Sequence, residues 1–132
     1  MKVNLKTIAL LTTAVIFVTT GCRTPVSTDP ITGQQRTAVY QAGYFYATLE
    51  ADADTVFRTS IRAIDRMGML RTGEKHADDY ISIFARKVGD KKIFVRIRQI
   101  APSKSEIRIR VGAIGNLPES QMIYTKIRDA LL

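Results

Sequence analysis

Three stretches between Ile81 and Val111 alternate apolar and polar residues with period two, and no other feature limits the fold of this chain so sharply. Ile81, Ile83 and Ala85 alternate with Ser82, Phe84 and Arg86; Ile93, Val95 and Ile97 with Phe94, Arg96 and Arg98; Ile107, Ile109 and Val111 with Arg108 and Arg110. Successive strand side chains point to opposite faces, so each stretch buries one face and wets the other. Three such strands in succession predict an antiparallel meander packed on one side only. Gly89-Asp90 marks a two-residue hairpin turn, and Pro102-Ser103-Lys104 a slightly longer one.

A fourth run, Gly43 to Ala51, has Phe45, Ala47 and Leu49 in the same register, with Tyr44 and Tyr46 on the opposite side. Asp52 then supplies an N-cap and Asp54 an acid for the first turn of a helix. Along it Ala53, Val56, Phe57, Ser60, Ile61, Ile64 and Met67 recur at helical spacing until Gly68 or Gly73. After the meander, Gly112 to Pro118 breaks the pattern. Pro118 opens a last helix with Met122, Ile123, Ile127, Ala130 and Leu131 on one face. The order is β-α-β-β-β-α. Burying every apolar stripe then requires an α+β two-layer sandwich: an antiparallel four-stranded sheet with two helices on one face.

The segment before this domain has another character. Lys2 and Lys6 precede a mostly apolar run from Ile8 to Val18, and Thr19-Thr20-Gly21 leads into Cys22, the single cysteine. The run is too short to span a bilayer. Thr19 to Cys22 resembles the lipobox of bacterial lipoproteins, which implies a signal peptide over 1–21, removal before the cysteine, and diacylglycerol and palmitate on Cys22. Two or more acyl chains give stable anchoring. Arg23 follows the cysteine where Asp would favour the inner membrane. The resemblance therefore implies an outer-membrane location facing the periplasm, or the outer side of the cytoplasmic membrane in a single-membrane host. Residues 22–42, with Pro25, Pro30 and Gly33 and no apolar periodicity, read as a flexible tether to a domain over 43–132.

The folded part also resembles a small family of uncharacterised bacterial lipoproteins. The residues that carry the likeness are Tyr46–Glu50 (YATLE), the helix Asp54–Gly68 ending in AIDRMG, and Ile107–Gly115 (IRIRVGAIG) with Ser120 and Ile123 after it. This resemblance implies an extracytoplasmic, lipidated protein and supplies no activity.

Charge concentrates on the meander. The chain holds 20 Lys and Arg against 12 Asp and Glu, a net +8. Arg86, Lys87, Lys91, Lys92, Arg96, Arg98, Lys104, Arg108 and Arg110 are offset between Tyr80 and Val111 only by Asp90 and Glu106. Strand parity places Phe84, Arg86, Phe94, Arg96, Arg98, Arg108 and Arg110 on the outward face, making them the candidate contacts for an anion or a partner. Arginine beside aromatic rings on an open sheet suits nucleic acid. An export signal removes nucleic acid from consideration and leaves anionic lipid, acidic glycan or an envelope protein, since a guanidinium pairs with carboxylate and phosphate alike.

Catalytic constellations are scarce. His76 is the single histidine, and Cys22 is committed to lipid, so neither a Cys-His dyad nor a histidine-rich metal site can be assembled. His76 with Asp78 and Asp79 reads as a solvated connector. Ser60, Ser82, Ser103, Ser105 and Ser120 lie in no nucleophile-elbow motif. Asp65 and Glu50 could form an acid pair, but Asp65 reads better as an ion-pair partner of Arg58 or Arg62. Gly112, Gly115 and Asn116 match no dinucleotide or phosphate loop and read as a strand-to-helix turn. Arg58, Arg62 and Arg66 form a solvated basic ridge on the first helix. The expectation is a non-enzymatic binding or scaffolding domain without metal or cofactor, with direct binding of anionic lipid or polysaccharide as the alternative.

Overall fold

The structure, a computed structural model, describes residues 24–26 and 38–132. The expected signal peptide over 1–21, Cys22 and most of the expected tether lie outside the described residues. In chain order the elements are β1 (Thr24–Val26), β2 (Ala38–Gln41), β3 (Tyr44–Leu49), α1 (Ala53–Arg66), β4 (Leu70–His76), β5 (Ile81–Lys87), β6 (Lys91–Ala101), β7 (Lys104–Val111) and α2 (Leu117–Leu131). All the strands join one antiparallel sheet in the order β1-β2-β3-β7-β6-β5-β4.

The class is α+β, but the expected four-stranded sheet is wrong. Six strands run between Ala38 and Val111, and the three-residue β1 extends the sheet at the β2 edge. Two of the unforeseen strands escape hydropathy for physical reasons. All seven residues of β4 are exposed, because it is an edge strand paired only to β5, and an edge that covers no core needs no apolar alternation. In β2 only Ala38 is buried, and its four residues fall in the stretch that composition assigns to the tether.

The turn lengths are also corrected. Lys87 pairs with Lys91, which leaves Val88, Gly89 and Asp90 as a three-residue loop; Ala101 pairs with Lys104, which leaves Pro102 and Ser103 as the two-residue turn. Ile100 is bulged out between Gln99 and Ala101.

α1 begins as the residues dictate: Asp52 Oδ1 accepts from the Thr55 amide at 2.9 Å. It ends at Gly68 (φ +70°), where the Met69 amide reaches back to the Ile64 carbonyl at 3.2 Å. The two helices pack against each other and against the same face of the sheet. The core between the layers holds Phe45, Leu49, Val56, Ile64, Ile83, Ile93, Val95, Ile97, Ile107, Ile109, Ile123 and Ile127, all essentially without solvent contact. On α2 the inward stripe is Ser120, Ile123, Tyr124 and Ile127, while Met122 is 44% exposed. Tyr124 takes the place that spacing gives to Met122, its ring 5.2 Å from that of Phe45.

The β2–β3 turn and the β7–α2 loop cross at Gly43 and Gly115. Both have positive φ (+79° and +90°); a Cβ on Gly115 would overlap the Gly43 backbone, and one on Gly43 the carbonyl of Ile114. This is the role of Gly115, a close backbone approach.

Candidate functional site

Cross-strand partners share a face, so the pairing registers arrange the outer side chains in rows. One row runs Tyr46, Arg108, Arg96, Ser82 and Lys75 across β3, β7, β6, β5 and β4. The next runs Arg110, Phe94, Phe84 and Gly73, with Tyr44 at the β3 end, where Arg110 Nη1 donates to its hydroxyl at 3.0 Å. All seven candidate residues therefore stand on the outer face. The helices cover the other.

Their electrostatic circumstances differ. Arg86 is ion-paired with Asp90, and Arg98 with Glu106 at 3.2 Å, so both are neutralised locally. Among the described residues, Arg96, Arg108 and Arg110 have no carboxylate partner within 4.0 Å. Aromatic rings hold them instead. The guanidinium of Arg108 lies 3.7 Å from the Tyr44 ring centre and 5.2 Å from that of Tyr46; Arg96 lies 4.1 Å from Tyr80 and 5.2 Å from Phe94; Arg110 lies 4.8 Å from Tyr44. Arg96 Nε also donates to the buried Ser82 hydroxyl at 3.3 Å. Arg108 Nε is buried without a hydrogen-bond partner.

Between them the cations act on Tyr44. Its phenol is drawn below the usual tyrosine range, chiefly by the Arg110 hydrogen bond, against an opposing effect of burial, with the charges of Arg110 and Arg108 adding to the pull. Arg96 and Arg108 are moreover directly opposed on neighbouring strands. Like charges so placed repel, so a shared anion between them would be stabilising.

Two depressions among the described residues lie on this face. The smaller, about 260 Å³, is lined by Tyr46, Asp79, Tyr80, Arg96, Arg98, Glu106 and Arg108. The larger, about 490 Å³, has Tyr44, Phe84 and Phe94 among its walls, with Gly73, Arg86, Lys92, Arg110 and Gly112 around them. Sequence reasoning missed Tyr80, Lys92 and Gly73. Tyr80 was within reach, since it continues the even parity of Ser82, Phe84 and Arg86 by one step. Gly73 carried no signal, because its place opposite Phe84 depends on a register shift between Arg71 and Gly73.

A family model described as protein of unknown function (DUF3568) matches residues 4–130. The chain belongs to this family. No curated protein matches it. The DUF3568 match spans the apolar N-terminal run and Cys22 as well as the whole sheet face described above.

The remaining candidates of this DUF3568 chain are scattered through the fold, with Ser60, Ser105 and Ser120 buried. His76 ends β4, its ring edge-on to Phe57 at 5.3 Å and its Nε2 3.4 Å from Glu74 Oε2; no serine hydroxyl reaches it among the described hydrogen bonds. Ser60 donates to the Val56 carbonyl at 2.7 Å, and Ser105 to the Ala51 carbonyl at 2.6 Å. Asp65 pairs with Arg71 at 2.8 Å, not with Arg58 or Arg62, while Glu50 pairs with Lys104 at 3.3 Å, so the two acids are held by different cations. On the basic ridge Arg58 is met by Asp54 at 2.5 Å. Asn116 caps α2, accepting from the Glu119 amide at 2.9 Å. Glu119 in turn receives Lys91 at 2.7 Å and Lys87 at 3.0 Å, which hold its carboxyl below the ordinary glutamate range and tie α2 to the β5–β6 hairpin. No group of three metal-ligating side chains occurs among the described residues, and none of the described helices is long and apolar enough to cross a membrane.

Proposed function

We propose that this member of the DUF3568 family is an envelope lipoprotein, anchored through an acylated Cys22, whose domain has no enzymatic role and recognises anionic groups of another envelope component with the outer face of its sheet. The observation that carries this reading is the opposed pair Arg96 and Arg108, unpaired with any acid among the described residues and held over the rings of Tyr80 and Tyr44. Guanidinium groups so held lose little further rotamer freedom on meeting a phosphate or carboxylate. The partially desolvated setting strengthens the attraction. Anionic lipid or glycan fits this arrangement directly; an acidic patch on an envelope protein uses the same chemistry. Arg23 next to the cysteine favours the outer membrane, facing the periplasm, in a two-membrane cell, and the outer side of the cytoplasmic membrane in a single-membrane one.

Co-sedimentation of residues 23–132 with neutral and anionic vesicles tests the face. Binding to anionic vesicles is expected, falling steeply as salt rises. The triple variant Arg96→Gln, Arg108→Gln and Arg110→Gln should bind on the order of a hundredfold more weakly, at roughly 1 kcal/mol for each lost cation. Retention of full binding by that variant, or no binding to anionic vesicles and acidic glycans at low salt, refutes the anion-recognition reading. For the anchor, cells fed labelled palmitate should incorporate label into the wild-type chain and not into Cys22→Ser; equal labelling of both would place the lipid elsewhere.

A further inference from the structure

We propose that the larger depression on the outer face is a binding site for a monomeric alkyl anion: one apolar chain ending in a phosphate or carboxylate. This rests on the anion-recognition reading above and specifies what the anion is attached to. The depression crosses the strands instead of running along one. From Gly73 on β4 it passes Phe84 on β5, Phe94 on β6 and Arg110 on β7 to Tyr44 on β3. Four interstrand spacings make about 19 Å, comparable with the roughly 15 Å depth of hydrocarbon in one bilayer leaflet. Its length therefore suits an extended chain better than a compact ring.

The two ends differ chemically. At the β4 end Gly73 contributes no side chain, and a Cβ there would meet nothing within 4 Å, so the groove stays open where it reaches the sheet edge. Along the middle the walls are aromatic: Phe84, 39% exposed, has its ring 5.6 Å from Phe94, which meets Tyr44 edge-on at 6.2 Å. Toward the other end Arg110 on β7 stands beside Tyr44, without a carboxylate partner among the described residues. Arg86 on β5 and Lys92 on β6, opposite each other, flank the middle, the former held by Asp90. An aromatic trough with an acid-free guanidinium near one end and an open, side-chain-free other end complements a chain with a charged head. A volume of about 490 Å³ is that of a single-ligand site. Phe84 and Phe94 line the trough instead of standing at a protruding loop tip, which favours a single extracted chain over insertion of this face into a bilayer.

The test uses the full chain reconstituted in neutral phosphatidylcholine nanodiscs and followed by amide NMR shifts, titrated with decyl phosphate, inorganic phosphate and decanol against protein-free nanodiscs as the partitioning control. Decyl phosphate is expected to bind saturably, with shifts at Gly73, Phe84 and Phe94. Each buried methylene adds affinity, so it should bind at least about tenfold more tightly than inorganic phosphate. Gly73→Val puts side-chain volume into the open end, where a Cβ meets nothing within 4 Å, at a position where glycine's freedom is not needed. It should lower decyl phosphate binding to the level of inorganic phosphate while phosphate binding and Tm stay as in the wild type. Decyl phosphate binding unchanged in Gly73→Val, or no tighter than phosphate in the wild type, overturns the chain site and leaves the anion face standing. Decanol binding as tightly as decyl phosphate overturns the charged end. Failure of both anions to bind the wild type overturns the anion-recognition reading and the alkyl site with it.

Discussion

Gly115→Ala should destabilise the domain by about 3 kcal/mol or more, enough to unfold a large fraction of a domain of ordinary marginal stability. Two penalties combine at this residue. Its φ of +90° is one that an L side chain rarely adopts, and a Cβ would overlap the carbonyl oxygen and Cα of Gly43. Those are backbone atoms, so no rotamer change relieves the clash. Gly43→Ala should behave alike, because its Cβ would overlap the Ile114 carbonyl from the other side of the same crossing. Gly89→Ala is the comparison: its φ is +85° but a Cβ there meets nothing within 4 Å, so it should cost only about 1 kcal/mol. Urea denaturation of the three variants followed by circular dichroism separates the causes. Equal, small losses at all three would mean that the crossing contributes nothing beyond the backbone angle.

The second large effect distinguishes the two faces of the sheet. Phe45→Ala should cost about 3–5 kcal/mol, the range for emptying a buried phenylalanine site. Phe45 is 1% exposed and packs against Tyr124, so the cavity would open between β3 and α2, where rigid elements on both sides limit collapse. Phe84→Ala removes the same side chain from the outer face and should change stability by less than about 1 kcal/mol. Thermal melts of both variants provide the check. A comparable loss for Phe84→Ala would show that the outer aromatic row is itself a second core.

This contrast was written in the alternation. The β-branched residues of the meander took the buried side, and their arginine and phenylalanine neighbours the open side, because a one-residue slip would have reversed every side chain at once. Candidate contacts named from parity alone thus fell on one face. The alternation did not reveal what becomes of each arginine there. Arg86 and Arg98 are neutralised by Asp90 and Glu106, whereas Arg96 and Arg108 rest on Tyr80 and Tyr44; that division depends on register and rotamer, which period-two spacing does not encode. The edges were illegible for a different reason. Residues such as Arg71, Glu74 and Lys75 in β4 gain nothing from a buried face, and hydropathy responds only to burial. The α1 cap at Asp52 was legible because capping chemistry is local. The partner of Asp65 was not, because Arg71 reaches it only after the chain has turned out of the helix.

The strand order also imposes a timetable on the chain. β3 finds one neighbour at once in β2, but the other is β7, so Phe45 must wait for Ile109. The strands from β4 to β7 pair in succession with whatever was made just before them. Short-range pairing is kinetically favoured over closure of a long loop. Assembly should therefore proceed from the C-terminal half, with the early β2–β3 hairpin the last piece to dock. Until β7 is in place, Phe45, Ala47 and Leu49 form an apolar ribbon with nothing to cover it, and a chain truncated before that strand would carry the ribbon permanently.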